Sequence, residues 1–429
     1  MSALPKEALR RGWCPSTLSP METGDGWLVR LHPPGAKLAP AQLRRIAALA
    51  GEHGNGLIEI SARANLQIRG VTPDSHPLLV ERLLAEHLVD EHDGDGPQRL
   101  TLVSPLAGRD PNGLIDAIAL AEQVELRARM IPGLPAKLVI IVDDGGVQAL
   151  DGFVGDIRLV GIGAGRVALR LADRLWQGPL AEAGAAATIE AILRRFAALR
   201  AAAPDHIRRL RDLPPEALAG LSPLPETPAP APRPRPRRAG LFALGEDRFA
   251  AVIGLPFGRC NAATLDRLGA GIEASAAEIR LSPWRGLAFR HLHLAEAERL
   301  LAFATDLGLI TCDDDPRLSV QACAGSPACS RAEAPTMTDA AELATAAADL
   351  LAQGVTLHVS GCVKACAHPA AADLTLVGRE GRYDVVSGGT TRDKPVATLD
   401  LSMLLARLQP GQEIRARLAE AARSTGPRG

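Results

Sequence analysis

Two rhythms of apolar residues organise this chain. Segments 27–31 (WLVRL) and 57–70 (LIEISARANLQIRG) alternate apolar with polar positions, the period of a strand with one buried face. In the second segment Arg63, Asn65, Gln67 and Arg69 share one face and Ala64, Leu66 and Ile68 the other, so alternation alone sets a polar surface over an apolar backing. Apolar residues at helical spacing predict helices over 41–50, 77–89, 114–128, 181–199, 262–272, 295–307 and 340–352. β-Branched runs with flanking glycines predict strands at 137–142, 166–171, 356–359, 374–377 and 383–386. The glycine-rich GIGAGR at 161–166 reads as a hairpin turn, because it follows no strand-to-helix pattern that would make it a dinucleotide fingerprint.

The order strand, helix, strand, hairpin occurs twice. Segment 249–253, a Pro and Gly turn, the helix over 262–272 and EIRLSPWRGLAFRH at 278–291 repeat the first unit at an offset of 221 to 223 residues. Ile58 falls on Ile279, Ser61 on Ser282, Leu66 on Leu287 and Arg69 on Arg290. This predicts a duplicated α+β unit. Between the copies, SPLPETPAPAPRPRPRR at 222–238 carries seven prolines and predicts a semi-rigid, solvated polyproline II tether. The predicted divisions are a first half-domain at 10–95, a first mixed α/β domain at 96–221, the linker at 222–239, a second half-domain at 240–310 and a second α/β domain at 311–425.

Composition narrows the class. The 429 residues are enough for two or three domains with buried cores, and 47% apolar with 23% charged residues excludes a disordered chain. A formal net charge of -1 argues against a nucleic-acid partner. The longest aliphatic run, 138–142, is far short of the ~20 residues that cross a bilayer, so no membrane association is expected. No apolar signal region follows the polar N-terminus, and seven cysteines are too few for a disulfide scaffold; a cytoplasmic setting is expected. Of the 48 basic residues 43 are arginine, mostly a matter of composition, although guanidinium forks also suit carboxylate ligands.

Four cysteines form two close pairs, Cys323 and Cys329 in QACAGSPACSRA and Cys362 and Cys366 in HVSGCVKACAHP. Four thiolates in glycine- and proline-rich loops suit an iron-sulfur cluster or tetrahedral zinc, and the five-residue gap between Cys323 and Cys329 exceeds the usual zinc-knuckle spacing. Cys14, Cys260 and Cys312 are expected to be buried apolar residues, with Cys14 near the pocket.

The pattern of Cys, five residues, Cys, a long gap, then Ser-Gly-Cys, three residues, Cys resembles the 4Fe-4S signature of the siroheme-type nitrite and sulfite reductase superfamily. The resemblance implies that Cys323, Cys329, Cys362 and Cys366 hold the cluster, with Cys366 nearest a tetrapyrrole, and that the duplicated unit is a pair of ferredoxin-like half-domains in a pseudo-two-fold arrangement with mixed α/β cluster-binding domains. SARANLQIR at 61–69 resembles the superfamily's Thr-x-Arg-Gln-x-x-Gln anion-pocket segment, with Arg63 and Gln67 on the matching positions. Arg99 stands where a second arginine is found, followed by Leu100 instead of asparagine. Lys137 matches the first of two active-site lysines, and Val139 replaces the second, which weakens a sulfite-reducing reading.

The segments at 10–31, 103–111 (VSPLAGRDP), 281–286 (LSPWRG) and 359–369 (VSGCVKACAHP) are similar to one branch, the precorrin-3B synthases of aerobic cobalamin biosynthesis. That resemblance implies an NADH- and O2-dependent monooxygenase that hydroxylates precorrin-3A at C20 and closes a γ-lactone. A 4Fe-4S cluster, a non-haem iron beside it and a separate electron-donating reductase are implied with it. Arg63, Gln67, Arg69, Arg99, Lys137, Arg285 and Arg290 are the expected cradle for the carboxylates of the tetrapyrrole. His291, His293, His358 and His368 are iron-ligand candidates that no spacing supports. Two alternatives stand beside this reading: a siroheme-dependent nitrite or sulfite reductase, and a non-catalytic iron-sulfur electron-transfer protein.

Overall fold

The computed structural model describes residues 14–91 and 97–409 together with residue 416. The two predicted repeats form two five-stranded sheets, and each sheet borrows a strand from the other repeat. In the first, Met21–Thr23, Gly26–Leu31, Leu66–Val71 and Leu57–Ile60 are completed by Arg259–Asn261. In the second, Gly240–Gly245, Arg248–Gly254, Gly286–Leu292 and Glu278–Ser282 are completed by Lys37–Leu38. The borrowed strands pair antiparallel, Leu38 opposite Ile279 and Cys260 opposite Ile58. Helices Pro40–His53 and Ala262–Ala270 pack on one another, where a side chain at Gly269 would collide with Arg44. One continuous apolar core, including Leu43, Ile58, Ile68, Leu265, Ile279 and Phe289, therefore serves both repeats.

The duplication continues into the other two domains. Thr101–Val103, Ile140–Asp143 and Ile157–Gly163 run parallel and are followed by antiparallel Arg166–Leu171 and Leu175–Ala181. Val320–Ala322, Leu357–Ser360, Ala372–Arg379, Arg382–Gly389 and Ala397–Leu399 follow the same order and the same sense. The GIGAGR segment is the hairpin turn between Ile157–Gly163 and Arg166–Leu171.

Several element ends differ from the periodicity for local reasons. The helix expected over 114–128 is Ala117–Ala128, capped by Asp116, whose carboxylate accepts the Ala119 amide at 3.0 Å. The helix expected over 77–89 is His76–Ala85, and His87 beyond it is left-handed at φ 50°. The helix expected over 340–352 is divided at Ala347 into Thr336–Ala346 and Ala348–Ala352.

The proline-rich segment is not a solvated tether. It lies against the first α/β domain, where Thr227 donates to the Trp176 carbonyl and Arg233 forks onto Asp143 at 2.8 and 2.6 Å. Asp143 is fully buried, so the pair is a desolvated ionic anchor, which composition alone does not reveal. Cys312 also departs from expectation, being exposed; Cys260 is buried and Cys14 half-buried.

Asp144, beside this anchor, is buried with Oδ2 unpartnered; burial raises its carboxyl to about 6, and Asp143 and Asp110 add to the rise. A carboxyl raised in the folded state stabilises the fold at low pH and loses that contribution as pH climbs through about 6. Asp144→Asn is expected to be the more stable protein at pH 7, by about 1 to 3 kcal/mol, and to lose that advantage near pH 4. Urea unfolding at the two pH values measures this, and equal differences at both would contradict it.

Candidate active site

The two cysteine loops leave adjacent parallel strands at the same edge of their sheet. Val320–Ala322 runs into Cys323, and Leu357–Ser360 runs into Gly361 and Cys362. The Gly361 amide donates to Cys323 Sγ at 3.1 Å, and the Ser360 hydroxyl donates to the Cys362 carbonyl at 2.8 Å. A β-carbon at Gly361 would lie 2.5 Å from Ala332 Cβ, so only glycine lets the loops close on each other. Burial raises the Cys362 thiol, as do the neighbouring Cys323 and Cys329, which places these three groups within electrostatic reach. Cys366 stands exposed on the rim, and all seven cysteines are free thiols.

Among the described residues, no three or more His, Cys, Asp or Glu side chains are gathered closely enough to hold one metal ion. The four thiols thus lack the convergence of a tetrahedral zinc site. Unpaired thiols, an amide aimed at sulfur, and the buried Arg285 guanidinium within electrostatic reach of Cys323 fit a larger thiolate-held cluster. The same finding leaves a mononuclear iron without a ligand set. His358 is fully buried with neither ring nitrogen partnered, its ring 5.6 Å from that of His368. Burial lowers it to about 3, and His368 and Arg285 add to the effect. His293 lies elsewhere, beside Arg248.

The cysteine loops are clamped by arginines of the two repeats. Arg69 is buried, paired with Asp25 at 2.5 Å and Glu59 at 3.3 Å, and donates to the Ala328 carbonyl at 2.9 Å, next to Cys329. Gly24, on the turn carrying Asp25, lies so close that a β-carbon there would be 2.6 Å from the Pro327 carbonyl. Arg285 donates to the Ala367 carbonyl at 2.9 Å, next to Cys366. Arg290 is buried against Glu278 and donates to the carbonyls of Pro105 and Ala107 at 3.2 and 2.7 Å, holding the VSPLAGRDP loop. Burial lowers Arg290 to about 10.

Arg63 and Arg99 have a different setting. They line two adjoining cavities of about 270 and 220 Å³, which also share His32, Gln98, Thr101 and Leu102. Arg99 donates to the Pro33 carbonyl at 2.6 Å, and burial lowers its guanidinium. Gln67 is buried below the cavity floor, accepting from Arg30 at 2.9 Å and donating to Glu59 at 3.2 Å. Lys137 is half-buried between Ala136 and Val139, both of which line the smaller cavity. Leu100, in the place of the asparagine, is core. The structure thus brings Arg63, Arg99 and the Lys137 loop together, and commits Arg69, Arg285 and Arg290 to loop carbonyls. The alternation reading overlooked Arg30, His32 and Glu91, although Arg30 and His32 stand at the end of the predicted strand 27–31.

Residues 19–86 match the nitrite/sulfite reductase ferredoxin-like half domain family. The chain is 34% identical to a precorrin-3B synthase of Sinorhizobium sp, over 94% of this chain and 88% of that protein. It is 25% identical to the sulfite reductase (ferredoxin) of Mycobacterium tuberculosis, over 82% of this chain and 70% of that one. The solved structure of Mycobacterium tuberculosis NirA superposes with a TM-score of 0.69 at 21% identity, covering 92% of this chain and 84% of that one. Its likeness bears out the α+β fold with ferredoxin-like half-domains.

Replacing Cys366 by serine is expected to weaken or alter the visible absorption and paramagnetic signal of the anaerobically reconstituted protein. An unchanged cluster signal would remove Cys366 from the ligand set.

Proposed function

The chain belongs to the precorrin-3B synthase family, and from that premise we propose that it is a monooxygenase that hydroxylates precorrin-3A at C20 and closes the γ-lactone of precorrin-3B. The observation that carries this reading is the cationic double cavity around Arg63 and Arg99, at the junction of the first repeat with the first α/β domain. A tetrapyrrole edged with carboxylates needs forked donors that stay charged in a partly desolvated cleft. Arg63 and Arg99 meet that need, and Lys137 stands at the same mouth.

Cys323, Cys329, Cys362 and Cys366 would hold a 4Fe-4S cluster, which when bound supplies single electrons. The chain's own residues do the rest. Gly361 and Arg285 favour thiolate over thiol at Cys323. Arg285 joins the two sides: its carbonyl contact fixes the loop after Cys366, and its neighbour Trp284 packs on Leu102, Val139 and Ala64, beside the cavity. Electrons would come from NADH through a separate reductase, as no dinucleotide-binding turn is evident in the sequence.

Val139 in the lysine position favours the synthase over sulfite reduction, since it leaves one cation where a sulfite site is expected to have two. Anaerobically purified protein, supplied with an electron donor, O2 and precorrin-3A, is expected to yield a product heavier by one oxygen atom. Unchanged substrate, or siroheme bands in the visible spectrum of the purified protein, would contradict the proposal.

A further inference from the structure

Beside Arg63 and Arg99, both cavities are lined by His32, which follows the strand Gly26–Leu31. Its Nδ1 is 2.8 Å from Glu91 Oε1, and both side chains are almost wholly buried. The Thr17 hydroxyl fixes the same carboxylate oxygen at 2.7 Å, while Glu91 Oε2 has no partner. A carboxylate at Nδ1 sets the tautomer: Nδ1–H donates to Glu91, and Nε2 is left as an acceptor. Nε2 has no hydrogen bond among the described residues. Arg30, Arg99 and Glu91 are the charged groups acting on the ring, and Cys14 and Arg63 share the cavity. Burial, together with the two arginines, keeps the imidazole below its ordinary value and hence neutral at pH 7.

The repeat shows that this imidazole is not needed to build the fold. The His32 carbonyl accepts the Asp90 amide at 2.8 Å, and at the matching place in the second repeat the Gly254 carbonyl accepts the Ile310 amide at 2.9 Å. The backbone contact is kept on both sides, whereas the side chain is imidazole in one copy and hydrogen in the other.

We propose that His32 is the proton-accepting catalytic residue of this cavity and Glu91 its positioning residue, taking the proton of the substrate carboxylic acid that closes the lactone; this rests on the synthase reading above. In that step the carboxylic O–H bond breaks and its proton passes to Nε2. The freed oxygen pair forms the bond to the ring carbon, and the pair displaced from that carbon goes to the oxygen atom delivered from O2. That oxygen takes up a proton as the hydroxyl. The other oxygen atom leaves as water on two electrons from the NADH-linked donor and two protons. The nascent imidazolium is stabilised by Glu91, whose unpartnered oxygen is otherwise uncompensated.

The test compares wild type, His32→Gln and Glu91→Gln, each with its cluster, for turnover of precorrin-3A across pH, cluster absorption and melting temperature. H32Q is expected to lose at least about 100-fold in kcat. Its KM, cluster spectrum and melting should stay close to wild type, and the fall in rate on acidification should vanish. E91Q should keep that fall, moved to lower pH. Wild-type turnover and pH profile in H32Q would overturn the proposal, as would a loss confined to KM, cluster content or melting. If H32Q does not fold, the 15N shift of wild-type His32 Nε2 decides: it should move when precorrin-3A is added, and a fixed shift overturns the proposal. A wild type that leaves precorrin-3A unchanged overturns the synthase reading and this inference together, whereas an active wild type with an indifferent H32Q overturns the role of His32 alone.

Discussion

Two buried arginines, 221 residues apart, hold the molecule's two halves to one another. Arg69 of the first repeat reaches the carbonyl of Ala328 in the second α/β domain, and Arg290 of the second repeat reaches that of Ala107 in the first. Ala107 and Ala328 are themselves 221 residues apart, so one contact is made twice, crosswise. Each guanidinium is nearly inaccessible to water and is balanced by a carboxylate of its own repeat, Asp25 and Glu59 for Arg69 and Glu278 for Arg290. Removing one member of such a set strands a buried charge, which typically costs about 3 to 5 kcal/mol. These arginines are therefore constraints on where the loops can lie rather than free ligands for a substrate.

The crossed geometry accounts for how a symmetric scaffold carries an asymmetric site. The loops gripped by Arg69 and Arg290 leave equivalent strands of equivalent sheets, but only one bears cysteines. The other, VSPLAGRDP, borders the cavity of Arg63 and Arg99 through Val103, Ser104 and Pro105. Each repeat thus fixes the functional loop that belongs to the other lobe. The exchanged strands Lys37–Leu38 and Arg259–Asn261 act in the same sense, since neither sheet is complete until both lobes are folded. Cavity and cluster loops are positioned together.

Much of this was legible in the sequence, and the limits are physical. Alternation over 57–70 places Arg63 to Arg69 on one face, but it cannot say that the far end of that face lies beneath a loop some 260 residues further on, as Arg69 does. The cysteine spacings announce a thiolate site, because loop chemistry is local. The exchanged strands are two and three residues long, too short for any period, and they exist only because a partner edge receives them. The proline-rich segment reads as a tether until the buried Asp143 is found waiting for Arg233. His32 escaped notice because a lone histidine beside two prolines carries no pattern, and its partner Glu91 lies 59 residues away.

The crossed grip is tested most directly by comparing the cluster content of Arg69→Met and Arg290→Met proteins reconstituted side by side. The two changes remove guanidinium groups of like burial at equivalent positions, so each controls for the fold damage of the other. The account predicts that the Arg69 variant loses most of its cluster absorption while the Arg290 variant keeps it. Equal cluster content in the two variants would contradict it.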